Sequence, residues 1–245
     1  MAKKAIQKIL NFQNAKTSKG ESKMVKTGII YFAPNTIASD INICPMATAG
    51  CIKACLYTAG RGGFNTTQTA RIKKTRLYLA DKQFFIQRLE KEIGNAYKAS
   101  QKKGFQLAIR INGTSDLSVE SWGVMEKFPD VAFYDYTKVT ARMTKFLAGK
   151  MPSNYHLTFS LSEDNKETAL KVLANGGNVA VVFRKNKKEA YPENHWGYPV
   201  IDGDADDLRF MDDKGVIVGL RQKGKATKDT LGFVQVYKRP ENLAA

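Results

Sequence analysis

The chain has 245 residues, of which 43% are hydrophobic and 10% aromatic, so it can bury a substantial core. No run approaches the roughly 20 apolar residues that cross a bilayer, which excludes a spanning helix. The 39 basic residues outnumber the 23 acidic ones, and because a net charge of +16 opposes folding, we expect a polyanionic partner, DNA or RNA.

The first half of the chain alternates between strand and helix patterns. The amino terminus lacks a long apolar run and a cleavage site, so we expect it to stay in the mature protein, in a reducing cytoplasm. The apolar segment 27–33 predicts a strand, and 66–80 predicts a helix. Asp81 can cap a second helix, and strand 105–111, loop 112–118 and a short helix over 119–127 follow.

The second half repeats this alternation in shorter units. Strands are predicted at 131–136, 155–161, 178–183, 197–202 and 215–221, with 232–238 as a candidate last strand; helices are predicted at 142–147 and 162–177. No internal repeat or linker divides the chain. The pattern therefore predicts one α/β domain over 1–245, a complete or partial (β/α) barrel of the TIM type, with an open sheet as the alternative.

Polar residues end six consecutive predicted strands. They are Arg110 with 112–116; 134–137; Ser160, Ser162 and Glu163; Arg184; Asp202 and Asp204; and Arg221 with Lys223. In parallel α/β folds, functional groups collect at the carboxyl ends of the strands. We therefore expect one functional rim, which also receives the segment that follows the first strand.

That segment contains all three cysteines, Cys44, Cys51 and Cys55. Thiolates are soft ligands for zinc and for the iron of Fe–S clusters. Structural zinc sites favour CxxC pairs and four protein ligands, but the chain has no CxxC, and its two histidines lie far away in sequence. The wide spacing favours a [4Fe–4S] cluster with one open coordination position; zinc, or cysteines without a metal, are the alternatives.

Basic side chains near the rim are candidate anion or nucleic-acid contacts. These candidates are Arg61, Arg71, Arg184, Arg221 and Lys223. Arg61 lies in a GRGG turn just before a helix, where it can clamp an anion or simply be exposed. The aromatic loop around His195 can stack on a base or form a small core of its own.

Acidic residues also cluster near the rim. Four carboxylates lie between Asp202 and Asp207, in a pattern that fits pairing with Arg209 or Arg184 better than a calcium site. Asp135 and Lys138 can form an acid/base pair, or belong to a packed strand and a surface lysine. Phosphate-loop, nucleophile-elbow, HExxH and GxGxxG motifs are absent, which removes the usual support for kinases, serine hydrolases, zinc proteases and nicotinamide enzymes.

Several sequence blocks together resemble an uncharacterised bacteriophage family, the gene-product-88-like proteins. The blocks are CPMATAGCIKACLYTAGRG, AIRINGTSDL, FYDYTK, YHLTFSLSE, NVAVVF, VIDGDADDLRF and GVIVGLRQKG, between about residues 25 and 234. The resemblance implies a phage origin, hence the cytoplasm of an infected host, and no particular chemistry.

The placement of the cysteines is similar in design to the radical SAM superfamily. In that superfamily a three-cysteine loop after the first barrel strand holds three irons of a [4Fe–4S] cluster, and S-adenosylmethionine takes the fourth. Here six and three residues separate the cysteines, where that superfamily usually has three and two. The resemblance implies S-adenosylmethionine as a further ligand, with Asn112 and Asp116 in the place of its glycine-rich stretch and Ser160, Ser162 or Glu163 near its ribose.

These observations predict a [4Fe–4S] protein that engages DNA or RNA, with radical SAM-type chemistry if it is an enzyme. A non-enzymatic DNA- or RNA-binding protein with a structural zinc or cluster is one alternative. An Fe–S redox carrier or sensor without a SAM site is another. The sequence predicts neither a substrate nor an oligomeric state.

Overall fold

An eight-stranded sheet organises the computed structural model, which describes residues 8–14 and 17–237. In chain order the strands are β1 (Val25–Ile29), β2 (Gln106–Arg110), β3 (Ala132–Thr137), β4 (Tyr155–Ser160), β5 (Asn178–Phe183), β6 (Asn194–His195), β7 (Tyr198–Asp202) and β8 (Ile217–Arg221). Their order in the sheet is β1-β2-β3-β4-β5-β8-β7-β6. All neighbours are parallel except β6 and β7, which are antiparallel.

The sheet is open along its two outer strands. No ladder among the described residues joins β1 to β6. The outer side of β1 carries a single antiparallel bridge, between Asn11 and Ile29, and β6 contains only two residues. The fold is therefore a mixed α/β fold with a mostly parallel, open sheet, as the alternation of strand and helix patterns predicts at the level of fold class.

Helices connect most of the parallel strands. They are α1 (Ala49–Lys53), α2 (Asn65–Ala80), α3 (Lys82–Gln101), α4 (Val124–Lys127), α5 (Thr140–Leu147) and α6 (Lys166–Ala174). Asp81 caps α3 as predicted, because its Oδ1 accepts the Phe84 N–H at 2.9 Å. The predicted helix 119–127 is interrupted at Gly123, which has a left-handed φ of 70° and separates a 3-10 turn from α4. Among the described residues, no helix has the length and apolar content that crossing a membrane requires.

The two faces of the sheet are covered differently. On one face, Leu107 and Ile109 of β2 join a large buried cluster with Phe85 and Leu89 of α3. Side chains alternate along a strand, so Ala108 faces the other side, where it clusters with Leu208. The segment 203–212, between β7 and β8, therefore packs on the face opposite the helices.

The carboxyl-terminal part of the chain differs from the sequence-based prediction in two places. Segment 232–238 was expected to form a strand, but within the described residues it makes only one bridge, from Gln235 to Phe183. The β6–β7 hairpin was not predicted, because its two-residue turn places Trp196 at φ 54° beside Gly197 at φ 83°. Such turns favour Asn-Gly, and a tryptophan with positive φ gives no turn signal in the sequence.

The aromatic residues around this hairpin pack on the main core. The rings of His195 and Trp196 lie 4.4 Å apart, and His195 meets Phe183 edge-on at 5.1 Å. Tyr191, Trp196 and Tyr198 all contact the large buried cluster. The loop therefore adds to the main core and does not form the small separate core that the sequence left open.

His156 on β4 makes the stability of the fold depend on pH. Burial lowers its pKa from 6.5 to about 4, and the positive charges of Lys214 and Arg209 act in the same direction. Between these values the unfolded chain binds a proton that the folded chain excludes, so the free energy of unfolding falls as the pH drops. Between pH 6.5 and 4, we expect the free energy of unfolding of the parent protein to fall by about 2 kcal/mol more than that of His156→Gln, measured by urea unfolding.

The exposed neighbour Ser153 provides the control for this measurement. Ser153→Ala should keep the full acid-induced loss of stability. If His156→Gln and the parent protein lose stability in parallel, His156 does not carry the effect.

Candidate functional site

A cavity of about 330 Å³ opens at the carboxyl ends of the strands. Its wall comes from the segments that follow β1, β2, β3, β7 and β8, from the ends of β4 and β5, from Lys19 before β1 and from the end of the described chain. Cys44, Cys51 and Cys55 all line it, together with Asn112 and Asp116. The volume lies within the range of small-molecule pockets.

Two short stretches of chain hold the cysteines. Cys44 lies in a loop, where its Sγ accepts the Asn35 N–H at 3.3 Å. Cys51 lies within α1, and its N–H donates to the Thr48 hydroxyl at 3.2 Å, which caps this helix. Cys55 follows α1 directly, so one turn of helix sets the spacing of the second and third thiols.

Glu163, from the loop after β4, fastens α1 to the sheet. Its Oε2 accepts the Thr48 hydroxyl at 2.7 Å, and its Oε1 accepts the Gly50 N–H at 2.6 Å. A Cβ at Gly50 would lie 2.7 Å from this carboxylate, so only glycine leaves room for the contact. Glu163 does not line the cavity; it holds the segment that carries the cysteines.

Burial raises the pKa of two of the thiols, those of Cys44 and Cys55. Burial raises the pKa of Cys44 to about 12, although the bond from Asn35 opposes the shift; the other two cysteines and Asp116 add to it. Burial also raises the pKa of Cys55, against the Tyr57 N–H and the charges of Lys138 and Arg71. A cysteine thiol loses its proton when it binds a metal as a thiolate, so metal binding here would release protons.

The three thiols share a cavity without forming the ligand sphere of a single ion. Among the described residues, no group of three or more histidine, cysteine, aspartate or glutamate side chains is arranged to hold one metal ion.

The loop after β2 is held by its own polar side chains. Asn112 donates to the Leu117 carbonyl at 3.0 Å and accepts from Ser115 at 2.7 Å. Asp116 accepts from Arg142 at 2.6 Å, from the Thr137 hydroxyl and from the Lys138 N–H. Both predicted site residues therefore line the cavity and also shape its wall.

Asp135 and Lys138 do not form the acid/base pair considered from the sequence. Asp135 is fully buried and accepts bonds from Asn112 and Tyr155; burial raises its pKa to about 6. Lys138 lines the cavity, and its Nζ donates to Ser160 at 3.0 Å. Ser162 is buried outside the cavity wall, and its hydroxyl bonds Asp164.

The five basic candidates have different surroundings. Arg221 and Lys223 line the cavity. Arg184 donates to the carbonyls of Thr227 and Asp229, away from the cavity lining. Arg61 is exposed on a 3-10 turn.

Arg71 is the exception among these candidates, because it is buried. Its guanidinium lies over the rings of Tyr31 and Tyr57, 4.9 and 5.4 Å from their centres. It does not present its charge at the surface, where contact with nucleic acid would require it.

Three of the four carboxylates in the acidic cluster pair with basic side chains, as the sequence favours. Asp204 pairs with Lys223 at 2.5 Å, and Asp206 with Arg209 at 2.9 Å. Arg184, the other expected partner, does not take part. Asp207 instead pairs with Arg110 at 3.0 Å, with both side chains over 90% buried. Sequence reasoning missed this pair, whose only signal was a charge at the end of the apolar segment 105–111.

Gly50 provides a test of the contact with Glu163. In Gly50→Ala the carboxylate must move and lose its bonds to α1, so we expect the free energy of unfolding to fall by about 1–2 kcal/mol in urea titrations. In a Glu163→Ala background the same substitution should cost much less, because the clash is gone. Gly94→Ala in α3 is the matched control, since its Cβ meets nothing closer than 3.8 Å. Equal losses in both backgrounds would contradict the role of Glu163.

Comparison with known proteins places the chain in one family. No curated protein and no solved structure matches it. The family model described as gene product 88 matches residues 8–236, nearly the whole chain. The chain therefore belongs to the gene product 88 family, the bacteriophage family that its sequence blocks resemble.

Proposed function

We propose that this protein binds a [4Fe–4S] cluster through Cys44, Cys51 and Cys55, at the mouth of its parallel sheet. The observation that carries the proposal is the convergence of all three thiols on one cavity at the carboxyl ends of the strands. Three ligands leave one iron of such a cluster open to a further molecule. The site is thus suited to chemistry as well as to electron storage.

The surroundings of the thiols support a cluster over a closed zinc site. Backbone N–H groups of Asn35 and Tyr57 donate to Cys44 and Cys55, as they do to the sulfurs of Fe–S sites. No histidine is among the described residues that line the cavity, and each of its carboxylates already bonds a basic side chain. A structural zinc ion needs a fourth protein ligand that this wall does not offer.

We further propose that the fold is a partial (β/α) barrel that serves radical SAM-type chemistry. The segment 203–212 packs on the face of the sheet opposite the helices, where a barrel would have its interior. When bound, a cluster with an open iron supplies an electron to a molecule in the cavity. Asn112, Asp116 and Ser160 line that space, and Glu163 supports it from behind.

The cysteines can be tested one at a time. Anaerobic protein with supplied iron and sulfide should be brown and contain about four irons per chain. Cys44→Ser, Cys51→Ser and Cys55→Ser should each lose most of the iron, because two thiolates hold a cluster poorly. Met46→Leu, a volume-conserving change in the same wall, should retain it. A colourless protein with one zinc, or with no metal, would refute the cluster.

Adding S-adenosylmethionine to the reduced sample distinguishes a radical enzyme from a redox carrier or sensor. A changed electron paramagnetic resonance signal would support the radical enzyme. An unchanged signal with reversible oxidation would favour a carrier or sensor instead.

We also propose that the protein engages DNA or RNA in the cytoplasm of the infected host. The net charge of +16 supports a polyanionic partner. Two exposed cations, Lys53 between Cys51 and Cys55 and Arg61 after Cys55, place positive charge beside the cysteine segment. Contact there would bring nucleic acid next to the open iron.

Salt dependence tests this contact. Retention on duplex DNA should fall steeply with salt, and Lys53→Ala with Arg61→Ala should lower the slope of log K against log salt by about 2. Lys98→Ala with Lys102→Ala, exposed at the end of α3, provides a charge-matched control with a smaller effect. Absent or salt-insensitive retention would eliminate the nucleic-acid partner.

A further inference from the structure

We propose that Lys138 and Ser160 anchor the anionic group of a small organic ligand in the cavity, beside the three cysteines. The ligand class is an organic carboxylate or phosphate with an apolar body. The proposal rests on the proposed function in one respect: that function places a reaction centre at the cysteines. The anchor itself is argued from the geometry of the wall.

The charges of the wall leave cations without acidic partners. Five basic side chains line the cavity: Lys19, Arg110, Lys138, Arg221 and Lys223. Its four carboxylates, Asp116, Asp204, Asp206 and Asp207, each bond a basic side chain. Among the described residues, neither Lys138 nor Arg221 has a carboxylate within ion-pair distance. An anion from solution would complete the balance.

Lys138 is held at its backbone and at its ammonium group. Its backbone N–H donates to Asp116 at 2.8 Å, which fixes the residue at the end of β3. Its Nζ donates to the Ser160 hydroxyl at 3.0 Å and lies 5.7 Å from the centre of the Phe233 ring. An ammonium group has three donors, so this arrangement orients the charge and leaves donors for a ligand.

The rest of the wall adds a second polar group and an apolar surface. Arg110 lines the cavity with its side chain 6% exposed, and its buried Nε–H has no hydrogen-bond partner. Val182, Leu220 and Phe233 contribute an apolar surface to the same cavity. An anion with an apolar body therefore satisfies both kinds of wall.

Alkylation of the cysteines tests the anchor with known probes. Iodoacetate carries a carboxylate and iodoacetamide does not, and both alkylate thiolates. In the full-length protein freed of metal, we expect Lys138→Met to lower the iodoacetate-to-iodoacetamide rate ratio at Cys55 by about fivefold, measured by mass spectrometry. Lys138→Arg should keep most of the ratio. If Lys138→Met unfolds at a lower temperature than the parent protein, Lys138→Gln takes its place.

Lys225→Met is the matched control, because Lys225 is exposed next to the lining residue Ala226 but does not itself line the cavity. Its ratio should change less than twofold. An unchanged ratio in Lys138→Met, an equal fall for both reagents, or the same fall in Lys225→Met would overturn the anchor. An equal fall for both reagents would make Lys138 only a counter-ion of the thiolate.

Competition identifies the anion. If inorganic phosphate slows alkylation by iodoacetate at a lower concentration than acetate does, the ligand is a phosphate. The reverse order would assign a carboxylate. Failure of both to compete would overturn the anchor. Because these measurements use metal-free protein, their outcome is independent of whether a cluster binds.

Discussion

The carboxylate of Glu163 connects the cysteine segment to the sheet. It accepts bonds from both Thr48 and Gly50, at the start of the one helical turn that carries Cys51 and precedes Cys55. A five-residue helix has little stability of its own. The relative placement of the thiols therefore depends on an anchor that lies more than a hundred residues away in sequence.

The face of the sheet opposite the helices imposes a second constraint. Arg110 would be an isolated buried charge without Asp207, and the 203–212 segment brings that carboxylate to it. The same segment contributes Asp204 and Asp206 to the cavity wall. One stretch of chain thus covers the face of the sheet opposite the helices and also sets the charge of the cavity wall.

Local patterns predicted much of this architecture. The helices over 66–80 and after Asp81 follow from apolar spacing and a capping residue, which act within a few residues of each other. The strands after residue 100 follow from short apolar runs. The features that the sequence did not reveal depend on distant partners: Glu163 with Gly50, Arg110 with Asp207, and the burial of Arg71 between two tyrosines. Trp196 was missed for a local reason, because its backbone conformation is rare for that residue.

The ends of the sheet have a consequence for behaviour at high concentration. An exposed strand offers unpaired amide and carbonyl groups that a second molecule can extend. Here β6 is two residues long, its partner β7 contains Pro199, and the outer side of β1 is bridged by Asn11. Each end of the sheet thus offers few backbone groups for pairing with a second molecule, which limits edge-to-edge association of this open sheet.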